Sequence, residues 1–384
     1  MIKRLRILLV LVLGLCLSLS LSGCKDKNEP TGPVEVEDML GRKLNITPGS
    51  YQRVICIGAG ALRMYCYIGD VSLLAGVEDI DNSSLSERPK MFDGVARPYF
   101  IANEEAFKKL PSCGVGGPQS QFAETEKILA CNPDIIISEY EDIDKANSLQ
   151  ELVSVPVVVI KYGNKGVFDE NVKKTITLLG KIFNKEQKAK TLNDYIASSR
   201  EEIERRVKDI TASEQKKVYI AGLGNWGTTN HLMTAQNYEP FNIAKINNIV
   251  TDLAKDGIQG IEAEKFLSLA PQMDVMILDA AAIKNIKGLY QADNTMFDAC
   301  KAWEDGEVYL QMAYNAYYTN LEIALCNTWF NAKVIYPELF SDIDINEKLD
   351  EITEAFLGVK LASKINSYPM SYGGYGKLNK EVLN

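Results

Sequence analysis

Four short segments hold residue types that could grip a small ligand. The first is Gly58-Ala59-Gly60-Ala61-Leu62-Arg63. Glycines such as Gly60 let the backbone approach a ligand, free N–H groups at a helix start favour an anion, and Arg63 would add a fixed charge in the first turn. The same residues also fit a simple turn with a surface arginine. The second is Gly114-Val115-Gly116-Gly117-Pro118-Gln119, where Gly116 and Gly117 could bring main chain to a ligand or only shape a loop. The third is Gly224-Asn225-Trp226-Gly227-Thr228-Thr229-Asn230-His231. Trp226 between glycines suits a flat ligand platform or core packing, and His231, the chain's single histidine, suits a structural hydrogen bond more than a metal contact. The fourth is Tyr314-Asn315-Ala316-Tyr317-Tyr318-Thr319-Asn320. Tyr314, Tyr317 and Tyr318 offer aromatic surface with hydroxyls beside the Asn315 amide, and they fit packing equally well.

Other chemistries lack their residues. One histidine, no C-x-x-C pair and no H-E-x-x-H leave too few ligands at recognisable spacing for a stand-alone zinc or iron site. No resident metal or cofactor is expected; a metal would arrive inside a chelate or as an oxyanion. Gly58-x-Gly60 followed by Glu78 imitates a dinucleotide fingerprint, but Arg63 stands where a third glycine should allow close helix–strand packing. No G-x-S-x-G nucleophile elbow is present. The chain is therefore not expected to be an enzyme.

The elements that would position these segments form one pattern made twice. Strands are predicted at 53–57, 72–77, 134–138 and 155–160, with helices at 61–68 and 124–131 between them. A second series starts with a strand at 217–221 and continues with a helix at 264–269, strands at 274–279 and 308–310, and a helix at 320–336. Glu126-Lys127-Ile128-Leu129 before Pro133-Asp134 is matched by Glu264-Lys265-Phe266-Leu267 before Pro271 and Asp274. Two α/β, Rossmann-like lobes follow, spanning 35–184 and 211–384. Between them, Ala189, Leu192, Ile196, Ser199, Ile203, Val207 and Ile210 line one face of a helix predicted over 185–210, capped by Asn184. A rod of roughly 35 to 40 Å joins the lobes, and the ligand cleft lies between them.

The N-terminus indicates export. Lys3, Arg4 and Arg6 precede an apolar run at 7–21, too short to span a membrane and suited to a secretory signal. Leu21-Ser22-Gly23-Cys24 resembles a bacterial lipobox, which makes 1–23 a signal peptide, Cys24 the lipidated residue and 24–34 a polar tether. Loss of 1–23 removes three positive charges and moves the net charge from −9 to −12, a poor balance for binding nucleic acid. The six other mature cysteines form no recognisable motif and suit buried free thiols, with one or two disulfides as the alternative in an exported protein.

With Asp38-Met39-Leu40-Gly41-Arg42, the two Glu-Lys segments and the stretch from Ala332-Lys333 through Tyr336-Pro337-Glu338-Leu339-Phe340-Ser341-Asp342-Ile343-Asp344, nearly the whole mature chain resembles one family. It is similar to the periplasmic binding proteins that serve ABC importers of ferric siderophores, haem and cobalamin. Some similar proteins bind molybdate or tungstate. The resemblance implies a monomer anchored by lipid outside the cell membrane, delivering a ligand to a permease dimer driven by ATPase subunits. It also implies one exposed glutamate per lobe facing an arginine on each permease subunit, here Glu126 and Glu264. A surface sensor on the same scaffold is the alternative of another class.

Overall fold

The computed structural model describes residues 32–383 apart from 91, 119, 121, 212–214 and 225–227. The predicted signal peptide, Cys24, most of the tether, and Trp226 lie outside the described residues.

An antiparallel hairpin, β1 (Val34–Glu37) and β2 (Lys43–Ile46), opens the chain. Its turn is the Asp38–Arg42 motif. The Asp38 carboxylate accepts from Arg42 Nε and Nη2 at 3.0 and 2.7 Å, and from the Val159 N–H at 3.2 Å. That buried ion pair ties the hairpin to the first lobe's sheet.

The first sheet is parallel, in the order β3 (Val54–Ile57), β6 (Ile135–Ser138), β7 (Val157–Val159). A short parallel pair, β4 (Val77–Glu78) and β5 (Ser112–Gly114), continues it through the Ala75 N–H on the Val54 carbonyl. Strands buried on both faces read as unbroken Val/Ile runs, which is why 134–138 and 155–160 were legible. The strand predicted at 72–77 is a correction. Asp70 accepts from the backbone N–H and hydroxyl of Ser72 at 2.9 and 2.7 Å, bending 71–73 into a 3₁₀ turn and leaving extended backbone only at β4.

In the second lobe, β9 (Met233–Thr234) and β11 (Gln259–Gly260) pair in its loops, and the sheet runs β10 (Asn247–Asn248), β8 (Lys217–Ala221), β12 (Val275–Asp279), β13 (Val308–Gln311), β14 (Gly376–Lys377). Only β14 is antiparallel within it. The doubly built α/β architecture expected from the duplicated pattern is the one observed.

Between the sheets in the chain runs the helix Glu186–Arg206, which buries Ala189, Leu192, Ile196, Ser199 and Ile203. The predicted face is right and the ends are not. Asn184 does not cap it; Asn184 turns at φ 52°, and Lys185 takes the cap position without a side-chain bond. At 21 residues the helix is about 31 Å long. It packs on the preceding helix Glu170–Ile182, where a Cβ on Gly180 would stand 2.5 Å from that of Ala189. One large apolar cluster runs from the first lobe, along this helix, into Leu321–Ile335 of the second. All six described cysteines are buried and unpaired.

Candidate functional site

A cavity of about 1050 Å³ opens between the lobes, at the carboxyl ends of the strands. The first lobe contributes Ala59, Phe92, Pro118 and the stretch 163–168. The second contributes Tyr238 and its neighbours, 256–258, and residues 314, 315 and 317–319. Tyr314, Asn315, Tyr317 and Tyr318 of the fourth candidate segment all line it.

The segment 314–320 is a tight loop between β13 and Leu321–Ile335. Asn315 bridges Thr319, and Asn320 closes the loop by donating its backbone N–H to the Tyr314 carbonyl at 2.7 Å. Tyr317 and Tyr318 stand at φ 52° and 69°. Side chains other than glycine rarely hold this left-handed conformation, which costs on the order of 1–2 kcal/mol per residue, so the surroundings must impose it.

Arg63 imposes much of it. The sequence left Arg63 as a ligand-facing or surface charge, and burial corrects the surface reading: it is fully buried, and it is not among the described lining residues. Nε donates to Asn320 Oδ1 at 3.0 Å, Nη1 to the Thr319 carbonyl at 3.1 Å, and Nη2 to the carbonyls of Ala316 and Tyr317 at 2.9 and 3.0 Å. Nη1 also reaches the Tyr162 hydroxyl at 3.4 Å. A buried guanidinium must fill its donors, and here the carbonyls of the other lobe fill them. Beside it, Tyr67 donates to the buried Glu322, and the rings of Tyr162 and Tyr318 meet at 4.5 Å.

The glycines do the corresponding work on the first lobe. Gly60 caps Ala61–Ile68 at φ 87°, and a Cβ there would come within 2.6 Å of the Tyr162 hydroxyl, which itself donates to the Gly60 carbonyl at 2.8 Å. Gly116 and Gly117 turn at φ 65° and 86° and lead Pro118 to the cavity wall without lining it themselves.

His231 is elsewhere. It lies in the second lobe's core, its ring between Phe266 and Phe297, with Nε2 2.8 Å from the Met296 sulfur. Burial pushes its pKa down to about 4, so the neutral ring is what the core holds. Among the described residues no group of three or more His, Cys, Asp or Glu side chains stands together as a metal ligand set.

Sequence reasoning missed the stretch Gly163-Asn164-Lys165-Gly166. Three residues separate it from β7, and it is folded around the Asp169 carboxylate, which accepts from the N–H groups of Asn164, Lys165 and Asn171 at 2.8–3.0 Å. Two glycines just after a predicted strand were the available signal. Tyr238 was missed too, and no local pattern marks it; the buried Gln311, bonded to Asp279, holds it from behind. Among the described lining residues Lys165 is the one cation, against Glu239 and Asp256.

The predicted docking glutamates are exposed, each in the first turn of a short helix, Thr125–Ala130 and Ala263–Leu269. The neighbouring lysines are paired elsewhere, Lys127 with Glu124 at 2.9 Å and Lys265 with Asp252 at 2.8 Å.

Comparisons with known proteins agree with this architecture. The curated molybdate-binding protein MolA of Haemophilus influenzae is 22% identical over 258 residues, 60% of this chain and 69% of its own. Its molybdate-bound structure superposes with a TM-score of 0.64 at 18% identity, covering 85% of this chain and 98% of that one. A periplasmic solute-binding protein from Veillonella parvula gives 0.67 at 19% identity, covering 92% and 98%. A TroA-like periplasmic binding protein, FepB, also from Veillonella parvula, gives 0.60 at 20%, covering 85% and 97%. At such identities the solved structures speak for the fold. The model of the periplasmic binding protein family matches residues 94–309, more than half of the chain, and the protein belongs to that family of extracytoplasmic solute-binding proteins of ABC transporters.

Proposed function

We propose that the interlobe cavity receives an iron complex of an organic chelator, a ferric siderophore or a haem- or cobalamin-like chelate, for delivery to an ABC permease. The observation that carries this is the cavity itself. Its volume of about 1050 Å³ is in the range that encloses a drug-sized organic ligand, not a bare ion. Its wall offers Phe92, Phe168, Tyr238, Tyr314, Tyr317 and Tyr318 as flat apolar surface, with amides and hydroxyls between them. Its charged groups do not converge on one anion, since Arg63 is spent on the loop carbonyls and Lys165 is outnumbered by carboxylates. A second reading, a molybdate or tungstate oxyanion, is favoured by the likeness to MolA in both sequence and structure. Native mass spectrometry with elemental analysis of protein purified from its host separates them. Iron or cobalt with an organic mass supports the first, and molybdenum or tungsten without one overturns it.

The same reading places Cys24 in a lipid anchor on the outer side of the cell membrane. Cys24→Ala is expected to release the protein from carbonate-washed membranes; retention would sink the lipoprotein assignment. It also assigns Glu126 and Glu264 to the permease contact. Glu124, two residues before Glu126, is already engaged by the Val115 N–H and Lys127. Glu126→Arg combined with Glu264→Arg is expected to abolish uptake with ligand affinity and melting temperature unchanged. Normal uptake by that double variant would remove both positions from the docking face.

A further inference from the structure

Glu78 stands twenty residues after Gly58, the place of a dinucleotide-binding acid, and the fold uses it differently. Its side chain is buried at the end of β4. Oε1 accepts from the Gly58 N–H at 3.1 Å, and Oε2 accepts from the Tyr317 hydroxyl at 2.6 Å. Gly116 packs so closely that a Cβ there would stand 2.8 Å from the Glu78 Cβ. One carboxylate therefore touches three backbone segments, and these are the segments that put Ala59, Pro118 and Tyr317 on the cavity wall. Two belong to the first lobe and one to the second.

Hydrogen bonds to an ionised acceptor are shorter and roughly twice as strong as neutral ones. We propose that Glu78 is a positioning residue whose carboxylate ties the three cavity-lining segments together across the cleft, so that its protonation loosens the cavity wall. This rests on the cavity being the ligand site, but not on which ligand fills it.

The setting makes the proton available near neutrality. Burial lifts the Glu78 carboxyl to about 7, against the pull of its bonds from Tyr317 and Gly58. Asp81 and Glu124 add to the rise. Cys56 of β3, Cys113 of β5, and Glu139 and Tyr140 beyond β6 also face it. Glu139 is itself lifted to about 8 by burial and its acidic neighbours. The signs then separate two roles. A carboxyl raised above its ordinary range favours the folded state at low pH and loses that contribution as pH rises through about 7. The tie across the cleft runs the other way: it is strongest above that pH and weakens below it.

Hydrogen exchange of the full mature protein without ligand tests this, comparing wild type with Glu78→Gln and Tyr317→Phe. At about pH 8 both variants are expected to exchange about tenfold faster at 115–118 and 314–320, and Glu78→Gln also at 58–61, with β6 and β12 unchanged. Taking the ratio of the Glu78→Gln rate to the wild-type rate at each pH cancels the intrinsic rates, and it should shrink towards one by about pH 6 as wild type takes up its proton. Unchanged exchange in these segments, a uniform rise across both sheets, or a ratio independent of pH would each overturn the proposal. Tyr317→Phe leaves the carboxylate in place, so a folding defect confined to Glu78→Gln does not decide the outcome. Because no ligand is added, failure here leaves the ligand assignment standing, and failure to find iron leaves this tie standing.

Discussion

The two walls of the cavity meet the same demand in opposite ways. Both need backbone at positive φ. The first lobe supplies it with Gly58, Gly60, Gly116 and Gly117, which reach that region without a Cβ penalty. In its tyrosine loop the second supplies it with Tyr317 and Tyr318, which do not. The first wall thus brings bare main chain close to the cleft, and the second projects aromatic rings into it. The strain in the tyrosine loop is held from the glycine side, by Arg63 on its carbonyls and Glu78 on the Tyr317 hydroxyl. One wall is locally self-consistent; the other is shaped by its neighbour.

The largest effect should come from cutting that support. Arg63→Leu leaves the carbonyls of Ala316, Tyr317 and Thr319 buried without their donor, and is expected to cost about 3 kcal/mol of unfolding free energy in urea titration. Arg63→Lys should not restore it, because one ammonium cannot reach all the acceptors the guanidinium fork serves. A leucine variant as stable as wild type would break the comparison, since the loop would then hold itself.

Gly60→Ala tests the other wall. It puts a Cβ at φ 87° and within 2.6 Å of the Tyr162 hydroxyl, and should cost about 2 kcal/mol by the same titration. A neutral result would mean that the turn has slack and that the glycine wall is not set by backbone geometry.

The smallest effect, and the sharpest contrast, is expected from Tyr318→Asn. Asparagine tolerates the left-handed region, so relief of strain offsets the lost ring contact with Tyr162, and stability should stay within about 0.5 kcal/mol in thermal melts. A loss as large as that of Gly60→Ala would show that the tyrosine ring, not the backbone, holds the second wall together.

Legibility along the chain followed the range of the forces involved. The helix Ala61–Ile68 and the strand Lys217–Ala221 were readable to the residue, because a glycine turn and an unbroken apolar run are local signals. The helix Glu186–Arg206 was readable in its buried face and not in its ends, since Asn184 is drawn into the turn against Glu170–Ile182 instead of capping. The tyrosine cluster was readable as a candidate site, while Lys165 went unnoticed because its only local signal was the pair of glycines around it.

The amino-acid sequence by itself determined the two α/β lobes, the helix between them and the tyrosine segment at the cleft, because periodicity, glycine placement and buried-strand composition act over a few residues. It could not decide the roles of the polar residues. Arg63, Glu78 and His231 look alike in sequence, as charged or titratable side chains near glycine turns. Tertiary structure alone made the first a clamp on the other lobe, the second a junction of three segments and the third a neutral part of the core. The reason is physical: a buried polar group is defined by the partners that replace its water, and here those partners lie up to 257 residues away in the chain.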